Sequence, residues 1–167
     1  MHTLKGDNMK KLILILFLFI SSLYSFDKVA LEYGTSNHDI DIYGISVIKD
    51  INYEIIKDTN LSWEFTLQDA EGKKDDMVIL STQPMLNHFF NEKIYFELGL
   101  GVAYFSQKHL DNEEYGTHFQ FKESAGFGYK FTDTFDITLK YTHYSNANIN
   151  NKNAGIDLIG ARLVYKF

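Results

Sequence analysis

The chain has 167 residues, a formal net charge of −6, no cysteine and a single proline, with 11 tyrosines and 14 phenylalanines. That length allows one domain with a real interior. The lack of cysteine excludes a disulfide scaffold, the acidic balance argues against a nucleic-acid partner, and the aromatic content favours strands.

Lys10 and Lys11 precede an apolar run from Leu12 to Ile20, which is followed by Ser21-Ser22-Leu23-Tyr24-Ser25. A positive start, a short apolar core and a small residue before a cut describe a secretory signal peptide over residues 1–25. The apolar run is too short for a spanning helix, which needs roughly 20 residues. Met9 stands just before Lys10, so residues 1–8 read as an upstream extension. Residues 26–167 are then the mature domain, held without disulfides by backbone hydrogen bonds and packing.

After Ser25 no long stretch repeats at 3.6 residues. Short alternating segments separated by polar turns predict eight strands, near 28–36, 39–51, 60–69, 76–88, 93–105, 117–131, 133–145 and 156–167. In the third, Leu61, Trp63, Phe65 and Leu67 oppose Ser62, Glu64, Thr66 and Gln68. In the fifth, Ile94, Phe96, Leu98, Leu100, Val102 and Tyr104 share a face. The fourth shows no clear period and contains Pro84, which weakens its reading as a strand.

Eight antiparallel strands close either as a soluble lipocalin-like barrel, apolar face inward, or as a membrane barrel, apolar face outward. The last strand carries Ile159, Ala161, Leu163, Tyr165 and the terminal Phe167 on one stripe. That stripe resembles the C-terminal assembly signal of bacterial outer-membrane proteins. The expected fold is therefore all-β, an eight-stranded antiparallel transmembrane β-barrel. Glu32, Glu64, Glu97, Lys122, Lys140 and Arg162 on the opposite faces would neutralise one another in a narrow, filled lumen. The short link at 131–133 reads as periplasmic, with both termini. The long links 106–116 and 146–155 read as external.

The seventh strand sends Phe135, Ile137, Leu139 and Tyr141 to one face, and His143 and Ser145 continue it. A base and a hydroxyl two residues apart on a strand stand side by side. On a lipid-facing stripe such groups bring a desolvation cost without structural return. Asp157 falls on the outward stripe of the returning strand, so three polar residues should converge on one apolar wall. Serine becomes a nucleophile when a neighbouring base takes its proton and a third group fixes the base. For His143 alone, a place near the lipid headgroups is the plainer reading. The three together leave catalysis and interface both open.

Thr142-His143-Tyr144-Ser145-Asn146-Ala147, then Asn153-Ala154-Gly155-Ile156-Asp157 and a terminal alternating strand, resemble the outer-membrane lipid A 3-O-deacylase family. That family carries H-Y-S-N-A-G followed by P-N-x-G-I-E. The segments Phe96 to Ser106 and Gly126 to Phe131 are similar to the family's fifth and sixth strands, so the resemblance runs from about residue 93 to 167. It implies Ser145 as nucleophile, His143 as general base and Asp157 as the orienting acid, one methylene shorter than the family's Glu. It further implies that Asn146 and Asn153 assist an oxyanion. Asn148 replaces the family's Gly and Lys152 its Pro, both beside the nucleophile, and Asn148 joins the candidate oxyanion or substrate residues. Glu123, interrupting the sixth apolar stripe, reads equally as a substrate contact, a supporting carboxylate or an interface residue.

The implied activity is a serine esterase in the outer membrane, facing the outer leaflet. It would remove the 3-hydroxyacyl chain from position 3 of lipid A in lipopolysaccharide. No cofactor or metal is expected, since no metal-ligand spacing is present, and pairing of two barrels stays open. The alternative is a non-catalytic small outer-membrane barrel with a structural or adhesion role, and a soluble fatty-acid-binding barrel is a third reading.

Overall fold

The computed structural model describes residues 25–36 and 38–167. The expected signal peptide, apart from Ser25, lies outside the described residues. The strands are β1 (Lys28–Ser36), β2 (Asp41–Ile56), β3 (Thr59–Glu71), β4 (Asp76–Phe89), β5 (Ile94–Phe105), β6 (His109–Leu110), β7 (Glu113–Glu114), β8 (Phe119–Lys130), β9 (Phe135–Ser145) and β10 (Ile156–Lys166). Eight of them close a barrel in the order β1-β10-β9-β8-β5-β4-β3-β2, and β6 and β7 form a separate small hairpin. Every barrel pairing is antiparallel. Closure pairs the first strand with the last, from Lys28↔Lys166 to Ser36↔Leu158, and leaves no sheet edge along that seam.

Alternation sorts the side chains as the sequence implies, with the apolar set outside. Leu67, Leu80, Leu98, Leu100, Leu139 and Ile159 all stand exposed around the middle of the wall, Leu139 at 64%. Aromatic rings gather at both ends of this apolar zone. At the end with short turns, Tyr165 lies 5.1 Å from Phe135 and 5.5 Å from Phe167. At the end with long loops, Tyr33 lies 5.2 Å from Tyr43 and Phe119 5.3 Å from Phe121. An apolar band between two aromatic girdles is the surface a bilayer selects, because rings with a polar tip settle at headgroup depth. A soluble barrel with its apolar face inside is thereby ruled out.

The lumen has three zones. At the long-loop end it is packed with Ile40, Ile42, Met77, Ile79, Phe105 and Tyr144, all buried. Mid-barrel lies the expected charge cluster, centred on Glu64, which is 0% exposed. Its Oε1 accepts from Lys122 Nζ and Lys140 Nζ at 3.1 Å each and from Gln83 Nε2 at 2.7 Å. Arg162 bridges Glu64 and Glu97 through its two terminal nitrogens. Three carboxylates (Glu32 completes the set, 3.9 Å from Lys140 Nζ) thus face three cations, and the interior is locally neutral. Below the cluster a polar vestibule of about 830 Å³ opens toward the short-turn end.

Two elements differ from the sequence expectation for physical reasons. The fourth strand is continuous and alternates cleanly, with Met77, Ile79, Ser81, Gln83 and Met85 turned inward. Its period was hidden because the upper lumen is itself apolar, so both faces carry hydrophobic residues. Pro84 faces outward opposite Trp63, and the ladder to β5 skips from Thr82↔Val102 to Met85↔Gly99 because proline offers no N–H. β2 runs five residues beyond the expected end at 51, through irregularities after Ile51 and Glu54, so the β2–β3 hairpin is longer than its neighbours.

Removing one member of a buried charge set leaves its partners uncompensated. Glu64→Ala is expected to lower the unfolding free energy by about 3–5 kcal/mol. Urea titration of the detergent-folded barrel measures it.

Candidate functional site

β9 and β10 are hydrogen-bonded neighbours, and their register sets His143 directly opposite Asp157. On its other side β9 pairs with β8, which sets Glu123 opposite His143 and Phe121 opposite Ser145. Tyr144, between His143 and Ser145, is buried in the lumen, where its hydroxyl donates to Gln68 Oε1 at 2.7 Å. Its neighbours therefore point outward. His143 and Asp157 side chains are 32% and 45% exposed on the outer wall, at the level of the long-loop aromatic ring.

His143 Nδ1 lies 2.7 Å from Asp157 Oδ1. The shorter acid thus reaches the imidazole directly. With the proton on Nδ1, Asp157 accepts it and Nε2 is left with a free lone pair, the state a general base requires. Ser145 ends β9 on the same face, two residues along. No hydrogen bond joins its hydroxyl to His143 in this geometry, and such bonds commonly tighten only around a bound substrate. Gly155, just before β10, has φ +69°, and a Cβ there would sit 3.1 Å from the Tyr144 carbonyl oxygen and 3.5 Å from His143 Cε1. Glycine there permits the left-handed turn into β10 and keeps the space beside the imidazole open.

The loop after Ser145 turns tightly. Ala147 and Asn148 both have positive φ, +51° and +61°, and Ile149 N–H donates to the Asn146 carbonyl at 3.0 Å, as in a type I′ turn. Asparagine tolerates this left-handed region, so Asn148 can stand where the family has Gly. Alanine does not gain the same relief, and Ala147 holds strain of about 1–3 kcal/mol. Among the described residues, the N–H groups of Ala147 and Asn148 donate to no partner.

Asn146 is 0% exposed, and its amide is engaged in holding the loops. Nδ2 donates to the carbonyls of Tyr115 at 2.8 Å and Lys152 at 2.7 Å, while the Asn146 N–H donates to Asn153 Oδ1 at 2.8 Å. Asn153 Nδ2 reaches Asn148 Oδ1 at 3.3 Å. Both the side-chain amide and the backbone N–H of Asn146 are thus engaged within the loops, and Asn146 clamps the segment that follows Ser145. Lys152 N–H donates to Asn150 Oδ1 at 2.9 Å, a bond proline would lack, and its Nζ pairs with Glu114 on β7. Glu123 has no ion-pair partner among the described residues. It borders an outward apolar groove of about 570 Å³, with Tyr141, Ala125, Leu98, Leu100 and Leu86.

Two features escaped the sequence reading. Tyr141, read as one more aromatic on the stripe, donates its hydroxyl to the same Asp157 Oδ1 that His143 contacts. Its position two residues before His143 on the same face was the available signal. The β6–β7 hairpin was not expected at all. Next to it, Asp111 accepts the backbone N–H groups of Lys73, Lys74 and Asp75 at 2.6, 2.8 and 3.2 Å, tying two loops together.

A family description for lipid A 3-O-deacylase (PagL) matches residues 43–166. The chain belongs to this family. The lipid A deacylase PagL of Bordetella bronchiseptica (strain ATCC BAA-588 / NCTC 13252 / RB50) is 34% identical over 87 residues, 52% of this chain and 49% of that protein. That of Pseudomonas aeruginosa (strain PAO1) is 34% identical over 65 residues, 39% of this chain and 38% of that protein. The chain thus spans about half or less of the length of these curated relatives. A crystal structure of the outer membrane enzyme PagL aligns at TM-score 0.75 and 23% identity, covering 84% of this chain and 99% of that one. The Yersinia pestis outer membrane protein Ail aligns at 0.55 and 14%, covering 86% and 99%. These likenesses share the barrel. Membership of the deacylase family does not favour the non-catalytic alternative.

The loop clamp and the loop tie each generate a test. Asn146→Ala should remove one donor from each of the Tyr115 and Lys152 carbonyls and open residues 146–155 to limited proteolysis without unfolding the barrel. For Asp111, the Lys73 N–H foremost, then those of Lys74 and Asp75, hold the carboxyl below its ordinary value. A lowered acid stabilises above the unfolded-state value and loses its contribution as pH falls through the folded one. Protection of the Lys73–Asp75 amides, measured relative to their intrinsic exchange rates, should therefore persist as pH falls through the ordinary aspartate range, be lost only at lower pH, and be absent throughout in Asp111→Ala.

Proposed function

We propose that this chain is an outer-membrane serine esterase that removes the ester-linked 3-hydroxyacyl chain at position 3 of lipid A. The observation that carries the reading is the 2.7 Å contact of His143 Nδ1 with Asp157 on the hydrocarbon-facing wall, beside Ser145. Family membership supports the substrate class. Long loops at one end and short turns at the other support an orientation with the site in the outer leaflet, and a signal peptide over residues 1–25 would supply the export route.

In this mechanism Ser145 Oγ attacks the acyl carbonyl as His143 Nε2 takes its proton. Asp157 steadies the imidazolium that results. Collapse of the tetrahedral intermediate breaks the ester bond, and His143 returns the proton to the departing sugar oxygen. Water, activated by the same histidine, then releases the fatty acid and restores Ser145. The unpartnered N–H groups of Ala147 and Asn148, two and three residues after the nucleophile, are the oxyanion donors this reading favours, with Asn153 shaping the turn that presents them. Glu123 is a substrate contact at the mouth of the apolar groove, which suits a single acyl chain. A substrate that diffuses laterally reaches such a site without leaving the bilayer.

The test compares lipid A from cells expressing the wild type and variants, by mass spectrometry. The wild type should remove one 3-hydroxyacyl chain. Ser145→Ala and His143→Ala should lose roughly 10³-fold or more of that activity, and Asp157→Asn less. An unaltered product pattern in Ser145→Ala would remove the enzyme reading.

A further inference from the structure

We propose that Tyr141 is a positioning residue of this site: its hydroxyl shares Asp157 Oδ1 with His143 Nδ1 and holds the short carboxylate at the imidazole. The inference rests on the deacylase reading and concerns how this chain works with Asp where the resembled pattern has Glu.

The register explains why tyrosine is required. Ile159 is the residue directly opposite Tyr141, so Asp157 is its diagonal neighbour. Diagonal pairs are about 7–8 Å apart, a gap that an aromatic side chain with a terminal hydroxyl can close. A leucine or phenylalanine at 141 would keep the apolar stripe and leave the carboxylate with one donor. At the girdle a carboxylate has less water around it than in bulk, and charge-assisted hydrogen bonds then do much to fix its orientation. With two donors converging on Oδ1 from the same strand, the Asp157 side chain has little freedom to turn away from His143.

A belt tyrosine seeking any acceptor is the simpler explanation, and the barrel offers a comparison. Tyr33, on the same girdle, donates to Asp41 at 3.1 Å. Asp41 receives no imidazole, so that pair orders nothing further. At Asp157 the accepted oxygen is the one that fixes a base, which turns an ordinary girdle contact into support for the site.

The experiment measures steady-state kinetics of the detergent-folded full chain on lipid A for wild type, Tyr141→Phe, Asp157→Glu and the double variant. Tyr141→Phe should lower kcat roughly tenfold with KM nearly unchanged, the effect of losing one hydrogen bond to a charged group. Asp157→Glu in the Tyr141→Phe background should recover most of that loss, because the longer acid needs no second anchor. A role in packing or lipid anchoring predicts either no effect of phenylalanine or a rise in KM, and no recovery by glutamate. Any of those results overturns the proposal. A second readout is independent of turnover. The His143 Nδ1–H proton should give a downfield NMR resonance that exchanges faster with solvent in Tyr141→Phe, and equal exchange in both proteins also overturns it. Absence of Ser145-dependent turnover in the wild type would instead count against the deacylase reading itself, with the resonance still reporting on Tyr141.

Discussion

Strict alternation of side chains along a closed hydrogen-bonded ladder is the constraint on which the whole molecule rests. Because the seam between β1 and β10 is sealed, each barrel residue has only two destinations, lumen or outer wall. A register slip of one residue would send Glu64, Lys122 and Arg162 into hydrocarbon and bring the leucines inside. The cluster around Glu64 therefore specifies the register as well as filling the interior. The same rule delivers His143 and Asp157 to the wall: each flanks a lumen residue, Tyr144 and Leu158 respectively.

The site inherits its precision from strands and its adaptability from a loop. His143, Glu123 and Asp157 come from three adjoining ladder positions whose spacing is fixed by backbone hydrogen bonds. Ser145 is the last strand residue before the left-handed Ala147–Asn148 turn, and the turn is in turn pinned by Asn146. Rigid placement of an imidazole beside a strained, clamped loop is a common arrangement where local strain is retained for function.

Much of this was legible in the residues alone. Thirteen positions of one strand, from Asp133 to Ser145, were enough to show that a base and a hydroxyl share a hydrophobic face, because period two admits no other solution. The six lumen charges were legible for the same reason. What stayed hidden was whatever the period does not govern. β4 looked irregular because apolar residues fill both its faces where the upper lumen is apolar. Asn146 lies beyond the strand, where alternation no longer dictates direction, and its burial under Tyr115 and Lys152 depends on loop contacts. Tyr141 was on the right face, but a tyrosine in a girdle looks the same whether its hydroxyl meets headgroups or a carboxylate.

The apolar packing of the upper lumen has a further meaning for the membrane. Ile40, Ile42, Ile79 and Phe105 pack the lumen beyond the charge cluster, so the vestibule does not run through to the long-loop end and the core is blocked. A barrel built this way can be inserted in many copies without making the envelope leaky. Whatever chemistry the outer wall supports is thereby separated from permeability.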